Sequence, residues 1–393
     1  MRIGLDLPPQ FRLFGVFFIY SFAMGGIFPR LADIQRTLGV EQGVLGFALI
    51  GTACGTLISL SLAAPFIEKL GHRIVLVLIP LLALLYAIAS FASGPLALFI
   101  LLVPTGLTIG CIEIVINLEA DRTEHLLGRR LMNRAHAFWS MGFFSAGLVG
   151  AGFAQAGVSP QVDLLIMVPI ILAATVIVLG KFSPAPRRAT AHTAPPPRFA
   201  RPTLAIGVLV LVTLSAMILE GAGSDWSAIY MRDEFAAAPF IVGFAAAAGA
   251  MMQALTRFFA DGFVERYSPV AVARVLLTVL GLGALVVFFA PNDLTALIGL
   301  GMLGIGTSVI FPLAMSAAAQ RTDRAAAINV AALAQTSFVA FLLGPPLLGQ
   351  VAQDFGVRWS YGIALPLVVL SFIAAGALGR RPVTPNVVAP IPQ

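Results

Sequence analysis

Charged side chains are scarce in this sequence. Asp, Glu, Lys and Arg make up 11% of its 393 residues and hydrophobic residues 59%, whereas a soluble domain has about 25% charged residues. This shortage excludes a soluble globular domain of ordinary composition and indicates a protein that lies in a lipid bilayer. The length allows about twelve to fourteen spanning helices of ~20 residues each with short connections, and no sizeable soluble domain.

Cysteine and the motifs of catalysis are also missing. The two cysteines, Cys54 and Cys111, lie far apart in apolar segments, so a disulfide framework or a thiolate metal site is not expected. We find no metal-ligand cluster, no nucleophile motif and no phosphate-binding GxxxxGK[ST] loop, which disfavours an enzyme, a receptor and an ATP-driven pump. No cofactor is expected. The net charge of +6 comes from scattered basic residues, so nucleic acid is not an expected partner.

Apolar segments dominate what is present. Twelve of them, each about long enough to cross a bilayer, fall at approximately 11–36, 42–66, 73–93, 96–118, 133–156, 163–181, 203–230, 239–260, 270–290, 294–316, 326–349 and 358–378. Turn-forming residues separate them, for example at 93–95 and 291–293. The first segment has no small-residue cleavage site, so we expect a retained helix rather than a signal peptide. The sequence predicts an all-α integral membrane protein with 12 transmembrane helices.

The basic residues indicate the orientation. With the N-terminus in the cytoplasm, twelve spans place all but four of the 24 Lys and Arg residues on the inner side; the four exceptions are Arg30, Arg36, Arg232 and Arg358. This asymmetry is the one that the positive-inside rule describes. We therefore expect a multi-pass protein of a bacterial-type inner membrane with both termini cytoplasmic.

The chain also repeats itself. Gly46-Phe47 recurs as Gly243-Phe244, and Glu68-Lys69 recurs as Glu265-Arg266, both at an offset of 197. The segment 181–201 between the two copies is rich in proline and basic residues, which is typical of a linker. These features predict an N-terminal six-helix bundle at 1–181, a cytoplasmic linker at 182–201, a C-terminal six-helix bundle at 202–380 and a tail at 381–393. Such paired bundles are pseudo-symmetric and place a cavity at the membrane midplane.

The first loop that follows a pair of spans carries a recognisable pattern. The stretch APFIEKLGHR at 64–73 resembles the G-x-x-x-D-R-x-G-R-R loop of the major facilitator superfamily, with Ala64 for glycine and Glu68 for aspartate. A related set of charges follows the eighth span. Charges near helix ends can form a network that locks one conformation, or they can simply anchor the topology. The gating residues that we predict are Glu68, Lys69, Arg73, Arg257, Asp261 and Arg266.

Four further stretches, at 110–117, 132–142, 220–230 and 344–349, look like the MosC-like membrane proteins, a branch related to the L-fucose/proton symporters. The resemblance implies the major facilitator fold and a solute carrier, with sugars or cyclitols as the nearest related substrates. In the symporter branch one acid on helix 4 and one on helix 1 take part in protonation. Glu113 matches the first position, whereas residues 17–29 contain no acid to match the second.

Three residues are predicted to couple transport to protons: Glu113, Glu220 and His136. An ionised acid at membrane depth costs about 2.5–3.5 kcal/mol even on a lenient scale, so an acid kept there is a functional candidate. Alternatively, Glu113 is a structural acid paired with Arg134 or His136, Glu220 lies at the outer interface, and His136 is a packing residue.

Other polar and aromatic residues in the spans are candidate ligands for a hydroxylated solute. They are Tyr20, Asn117, Asn133, Trp139, Asp225, Trp226, Gln253 and Gln335. Their alternative role is to join helices, and Trp226 also suits a belt of aromatic residues at the membrane surface. Arg30 and Asp33 are three residues apart and are expected to form a salt bridge at the rim.

The function that these patterns and the resemblance favour is a secondary transporter that moves a sugar-like or cyclitol-like solute by alternating access, with coupling to protons expected. Because no ATP-binding motif is present, we expect the energy to come from a gradient. The alternative is an exporter of drugs or metabolites by proton antiport. Drug antiporters of this superfamily usually have G-x-x-x-G-P on helix 5, whereas here the Gly-Pro pair, Gly344-Pro345, lies on helix 11. The expected partners are therefore the solute, protons and lipid, and the protein is expected to work as a monomer.

Overall fold

The computed structural model describes residues 4–129, 131–186 and 200–379, except for the side chains of Ala64, Glu68, Asn133, Asp261, Ala326 and Ala327. This part of the chain is helical and contains twelve helices that are long and apolar enough to cross a membrane. They are α1 Pro9–Leu38, α2 Gln42–Leu62, α3 His72–Ala89, α4 Pro95–Leu127, α5 Arg134–Gln155, α6 Pro160–Leu179, α7 Leu204–Phe235, α8 Pro239–Ala260, α9 Pro269–Phe289, α10 Asp293–Ala319, α11 Ile328–Phe355 and α12 Trp359–Leu378. The prediction of an all-α protein with twelve spans is confirmed.

An even number of spans fixes which chain segments share an end of the bundle. The start of α1, the connection between α6 and α7 and the end of α12 lie at one end, which we call the linker end. The other end is called the opposite end. Most of the predicted linker (187–199) and the predicted tail lie outside the described residues, so the domain boundaries stay predictions.

The helices of each half pack in the same arrangement. In the first half α1 contacts α5 and α6, α2 contacts α4, and α3 contacts α4 and α6. The equivalent pairs recur in the second half: α7 with α11 and α12, α8 with α10, and α9 with α10 and α12. This recurrence agrees with the sequence repeat and gives two pseudo-symmetric six-helix bundles.

The two most extensive contacts between helices of different halves are α2 with α11 and α5 with α8. Small residues permit both contacts. A Cβ on Gly46 of α2 would meet the Pro345 carbonyl of α11, and a Cβ on Gly243 of α8 would lie 2.7 Å from Cα of Ala151 in α5. Gly46 and Gly243 are the positions that the repeat relates. A glycine at equivalent positions therefore permits close helix packing in both of these contacts between the halves.

Several spans are interrupted along their length. α1 changes to a 3-10 turn at Phe28–Arg30, α7 contains a π-helical turn at Ala222–Trp226, and α10 breaks between Thr307 and Ile310. Irregular backbone at membrane depth is tolerated where it is buried in protein or lines a cavity. These breaks therefore mark the part of the bundle where polar side chains are to be sought.

Candidate functional site

The acid of α4 is held by two polar side chains of the first half. Tyr20 of α1 donates a hydrogen bond to Oε1 of Glu113 at 2.8 Å, and Asn117 donates to Oε2 at 3.0 Å. Tyr20 is completely buried, whereas Glu113 and Asn117 are partly exposed. Neither Arg134 nor His136 contacts the Glu113 carboxylate, so the carboxylate is compensated by hydrogen bonds rather than by a cation.

Glycine packing explains how α4 carries this acid inside the first half. Gly106 and Gly110 share a helix face with Glu113, and a Cβ on either would meet the backbone of α2, at Thr52 and Thr56 respectively. These glycines therefore permit close packing of α4 against α2.

The acid of α7 lies in a hydrogen-bonded chain that crosses between the halves. Gln253 of α8 donates to Glu220 at 2.9 Å and to Thr307 of α10 at 3.3 Å. Ser140 of α5 donates to Oε1 of Gln253 at 3.2 Å. Ser140 and Gln253 are buried and Glu220 is partly exposed, so the predicted residues Glu220 and Gln253 belong to one mid-membrane network.

Arg257 joins the same network. Its Nη1 donates to Oγ of Ser140 at 2.8 Å, and its Nε donates to the Ser308 carbonyl at 2.9 Å, where α10 breaks. Arg257 was predicted to belong to a gating loop, but it lies within the α8 span, and the helix continues beyond that span, without interruption, to Tyr267. Its side chain therefore lies inside the bundle, among the polar residues of both halves.

The other candidates near the two acids differ in their surroundings. His136 packs edge-on against Phe17 with ring centroids 5.2 Å apart. Trp139 stacks on Phe143, at 5.6 Å, and its carbonyl accepts a hydrogen bond from Ser21. Both rings are partly exposed, which is compatible with either a ligand contact or packing.

Three further candidates lie away from this network. Asp225 accepts a hydrogen bond from Ser224 in the π-helical turn, at 3.2 Å. Trp226 is completely buried, and a Cβ on Gly349 would lie 2.9 Å from its ring, so it packs in the α7–α11 contact rather than in a surface belt. Gln335 accepts from the backbone N–H of Ala200 at 3.0 Å, near the linker end.

The predicted gating residues do not form one network among the described side chains. Lys69 is exposed, Arg73 donates to the Gly180 carbonyl at 3.5 Å, and the Arg266 guanidinium lies over the Tyr267 ring at 5.3 Å. The side chains of Glu68, Asp261 and Asn133 lie outside the described part. The gating role of this set stays a prediction.

A charged cluster that sequence analysis missed lies at the linker end. His72 contacts Glu119 of α4, and Arg122 lies 3.6 Å from the same carboxylate, whose Oε2 accepts from the N–H of Ala185 at 2.9 Å. His72 and Glu119 are both buried. Glu119 lies six residues after Glu113 on the same helix. An acid near a helix end is common in a sequence, so nothing there indicates that Glu119 contacts His72. The cluster attaches the start of the linker to the first half.

The connection between α10 and α11 is fixed by a further missed acid. Asn329 donates to Asp323 at 2.9 Å, and Arg321 lies 3.3 Å from the same carboxylate. The hydrogen bond from Asn329, with the Arg321 charge as a smaller cause, holds the pKa of the Asp323 carboxyl below its ordinary value.

Hydrogen bonds between the halves concentrate at the opposite end. Arg232 of α7 donates to the Ala32 carbonyl at 2.6 Å and to Gln35 of α1 at 2.7 Å, and Gln42 donates to Asp233 at 3.3 Å. The backbone N–H groups of Gly43 and Phe240 add similar bonds by donating to the side-chain oxygens of Gln353 and Gln155. In the described part of the chain, no hydrogen bond joins the halves on the linker side of Arg257. The opposite end is closed in this structure.

The expected rim salt bridge of α1 forms, but it is not at the rim. Arg30 lies 3.2 Å from Asp33 and 3.6 Å from Asp163 of α6, and its side chain is only 2% exposed. It also donates to the carbonyls of Gly150 and Val158. The buried arginine thus fastens the broken part of α1 to α5 and α6.

Comparisons with known proteins agree with this architecture. Residues 208–393 match the family model described as Major Facilitator Superfamily. An uncharacterized MFS-type transporter of Yersinia pestis is 26% identical over 96% of this chain and 97% of its own length. Membrane protein MosC of Rhizobium meliloti is 21% identical over 87% of this chain and 83% of its own length. The solved structure of a variant of the E. coli fucose:proton symporter FucP superposes with a TM-score of 0.64 at 18% identity, covering 95% of this chain and 99% of that one.

Proposed function

The chain belongs to the major facilitator superfamily and is a secondary transporter rather than an enzyme; from this premise we propose that it moves a small hydroxylated solute, of sugar or cyclitol type, by alternating access coupled to protons. The cargo passes between the two six-helix bundles. The same proposal makes the protein a symporter of an inner membrane with the linker end in the cytoplasm.

The observation that carries the proposal is the pair of acids held at membrane depth, one in each half. Glu113 belongs to the first half and Glu220 to the second. Both are partly exposed, and among the described side chains neither has a cation within salt-bridge distance. An acid kept there against the cost of desolvation is a candidate for reversible protonation.

The hydrogen-bond donors around the acids suit a hydroxylated cargo. Tyr20 and Asn117 donate to Glu113, and Gln253 donates to Glu220. Hydroxyl groups of a sugar or cyclitol can donate and accept at the same positions. Binding of such a solute can therefore replace the internal hydrogen bonds without leaving a buried polar group unpaired.

Alternating access needs an end that opens and an end that closes. The closed opposite end, with Arg232 bonded to α1, supports an assignment of this structure to the inward-facing state. The orientation rests on the excess of basic residues at the linker end. The opposite end then faces the periplasm.

Uptake into proteoliposomes tests the proposal. We expect that at least one member of a panel of sugars, cyclitols and sugar acids accumulates when the lumen is more alkaline than the medium. Glu113→Gln removes the titratable group while keeping an amide that can accept from Tyr20, so we expect it to abolish accumulation driven by the pH gradient.

The matched control is Glu265→Gln, because Glu265 is an exposed acid at the linker end. We expect this variant to accumulate the solute as the unmodified protein does. Accumulation by Glu113→Gln at the unmodified rate, at every pH gradient, would remove Glu113 from the coupling mechanism.

A further inference from the structure

Among the described side chains, Arg257 is the one cation that is hydrogen-bonded into the network around Glu220. It is partly exposed and lies well before its helix ends at Tyr267. Its two hydrogen-bond partners, Ser140 of the first half and the Ser308 carbonyl of the second, are both neutral. A charge at this depth is costly, so its retention requires a negative partner for at least part of the transport cycle.

Arg257 has more N–H donors than these two partners use. A guanidinium has five N–H groups in a planar fork, and the two bonds use Nε and one hydrogen of Nη1. No ion pair joins Arg257 to a carboxylate among the side chains that the structure describes. Asp261 follows four residues later on the same helix face, and its side chain lies outside that part.

Glu220 acts on Arg257 from a distance. The two charges are close enough to interact electrostatically, but Oε1 of Glu220 accepts its hydrogen bond from Gln253 instead. Gln253 is in turn bonded to Ser140, which also accepts from Arg257. Ser140 and Gln253 therefore separate the acid and the cation while linking their positions.

We propose that Arg257 recognises a carboxylate on the cargo, which makes the transported solute a monoanionic sugar acid or acidic cyclitol. When a proton neutralises Glu220, the cargo carboxylate takes its place as the negative charge facing Arg257. One proton and one monoanion enter together, so the site remains electrically balanced. The inference rests on the proposed transport function and refines its substrate class.

The charge balance, rather than the hydrogen-bonding geometry, favours a carboxylate over a phosphate ester. The guanidinium fork matches a carboxylate with two parallel hydrogen bonds. A phosphate ester carries about two negative charges at neutral pH. Protonation of Glu220, in contrast, leaves only one positive charge, that of Arg257, without a negative partner. The hydroxyl groups of the same cargo contact the neutral donors of both halves, Gln253 among them.

Binding of matched solute pairs to the purified full chain tests this inference. Each pair has the same carbon skeleton and differs at one carbon: D-gluconate with D-glucitol, L-galactonate with galactitol, and quinate with its reduced alcohol. We expect at least one acid to bind about tenfold or more tightly than its neutral partner, because a charge-assisted pair is lost in the alcohol. D-Glucose 6-phosphate is the phosphate arm.

The variants separate recognition from folding. Arg257→Gln is expected to remove the preference for the acid, and Arg257→Lys to keep a reduced preference because it retains the charge without the fork. Arg274→Gln, which removes an exposed arginine of α9, is expected to keep the full preference. Elution as a single species on size exclusion and an unchanged circular dichroism spectrum establish that each variant is folded.

Three outcomes overturn the inference: tighter binding of a neutral partner, stronger binding of the phosphate ester, or an acid preference that Arg257→Gln leaves intact. Proteoliposome uptake then separates the two proposals. Uptake of a neutral solute that does not depend on Arg257 overturns the anion assignment and leaves the transport proposal standing. Absence of uptake for every solute under every gradient overturns both.

Discussion

A carboxylate at membrane depth is retained only when donors compensate for the water it has lost. Glu113 meets this condition with Tyr20 and Asn117, which supply neutral hydrogen bonds. A cation would fix the acid in its ionised form, whereas neutral donors also tolerate the protonated form. The arrangement therefore suits a group that changes its protonation during a cycle.

Tyr20→Phe tests the structural part of this account. The variant leaves Glu113 one donor short in a buried position, so we expect a loss of about 1–3 kcal/mol of stability. A lower midpoint of thermal unfolding in detergent is the measurement. Tyr267→Phe, at an exposed tyrosine, is the matched control and should leave the midpoint unchanged; equal midpoints for both variants would contradict the account.

Glu113 and Glu220 could be identified from the sequence because a charged residue is rare inside an apolar span. Their hydrogen-bond partners are not evident from the sequence, because Tyr20 is 93 residues away from Glu113. Arg257 was grouped with a loop because its neighbours Asp261, Glu265 and Arg266 are charged, although the apolar segment 239–260 already contained it. Contacts across the interface, such as that of Arg257 with Ser140, become visible only when the two halves are assembled.

Helix elements join the halves through small residues at equivalent positions. Gly243 of α8 is where the backbone of α5 approaches most closely, because a Cβ there would lie 2.7 Å from Cα of Ala151. The sequence repeat predicted that Gly46 and Gly243 are equivalent but not that both lie at the interface. A glycine pattern alone does not distinguish packing within a half from packing between halves.

Gly243→Leu tests this contact between elements. Its side chain cannot fit while α5 and α8 stay in contact, so we expect about 1–3 kcal/mol of destabilisation of the closed opposite end. Faster modification of a cysteine introduced at Gln155, measured with a membrane-impermeant maleimide, would report the opening. Gly207→Leu is the control, since no atom lies within 4 Å of a Cβ at that position; equal modification rates in both variants would show that the contact does not hold this end closed.

At the scale of the whole molecule, hydropathy and the repeat were sufficient to predict twelve spans and two bundles. Several spans were underestimated in length: the fourth segment was predicted at 96–118, whereas α4 extends over Pro95–Leu127. The difference arises because helices continue beyond the apolar stretch, as α4 does through Glu119 and Arg122. The conformational state could not be predicted, since one sequence must support both states of an alternating-access cycle.

The closed opposite end depends on a few polar contacts, chiefly those of Arg232 with Ala32 and Gln35. A small number of hydrogen bonds can be broken and reformed at modest cost, which an exchange between two states requires. Arg36 lies at the same end but pairs within its own helix, with Asp33. Replacing Arg232 and replacing Arg36 therefore remove the same charge, but only the replacement of Arg232 also removes a contact between the halves.

Distances between spin labels on the full chain in nanodiscs, with Cys54 and Cys111 replaced by serine, test the exchange between states most directly. One pair of labels, at Leu126 and Gln320, reports the linker end, and another, at Thr37 and Asp354, reports the opposite end. We predict two populations for each pair, and a shift in Arg232→Ala but not in Arg36→Ala towards a shorter linker-end distance and a longer opposite-end distance. A single distance for each pair that is the same in all three proteins would contradict alternating access.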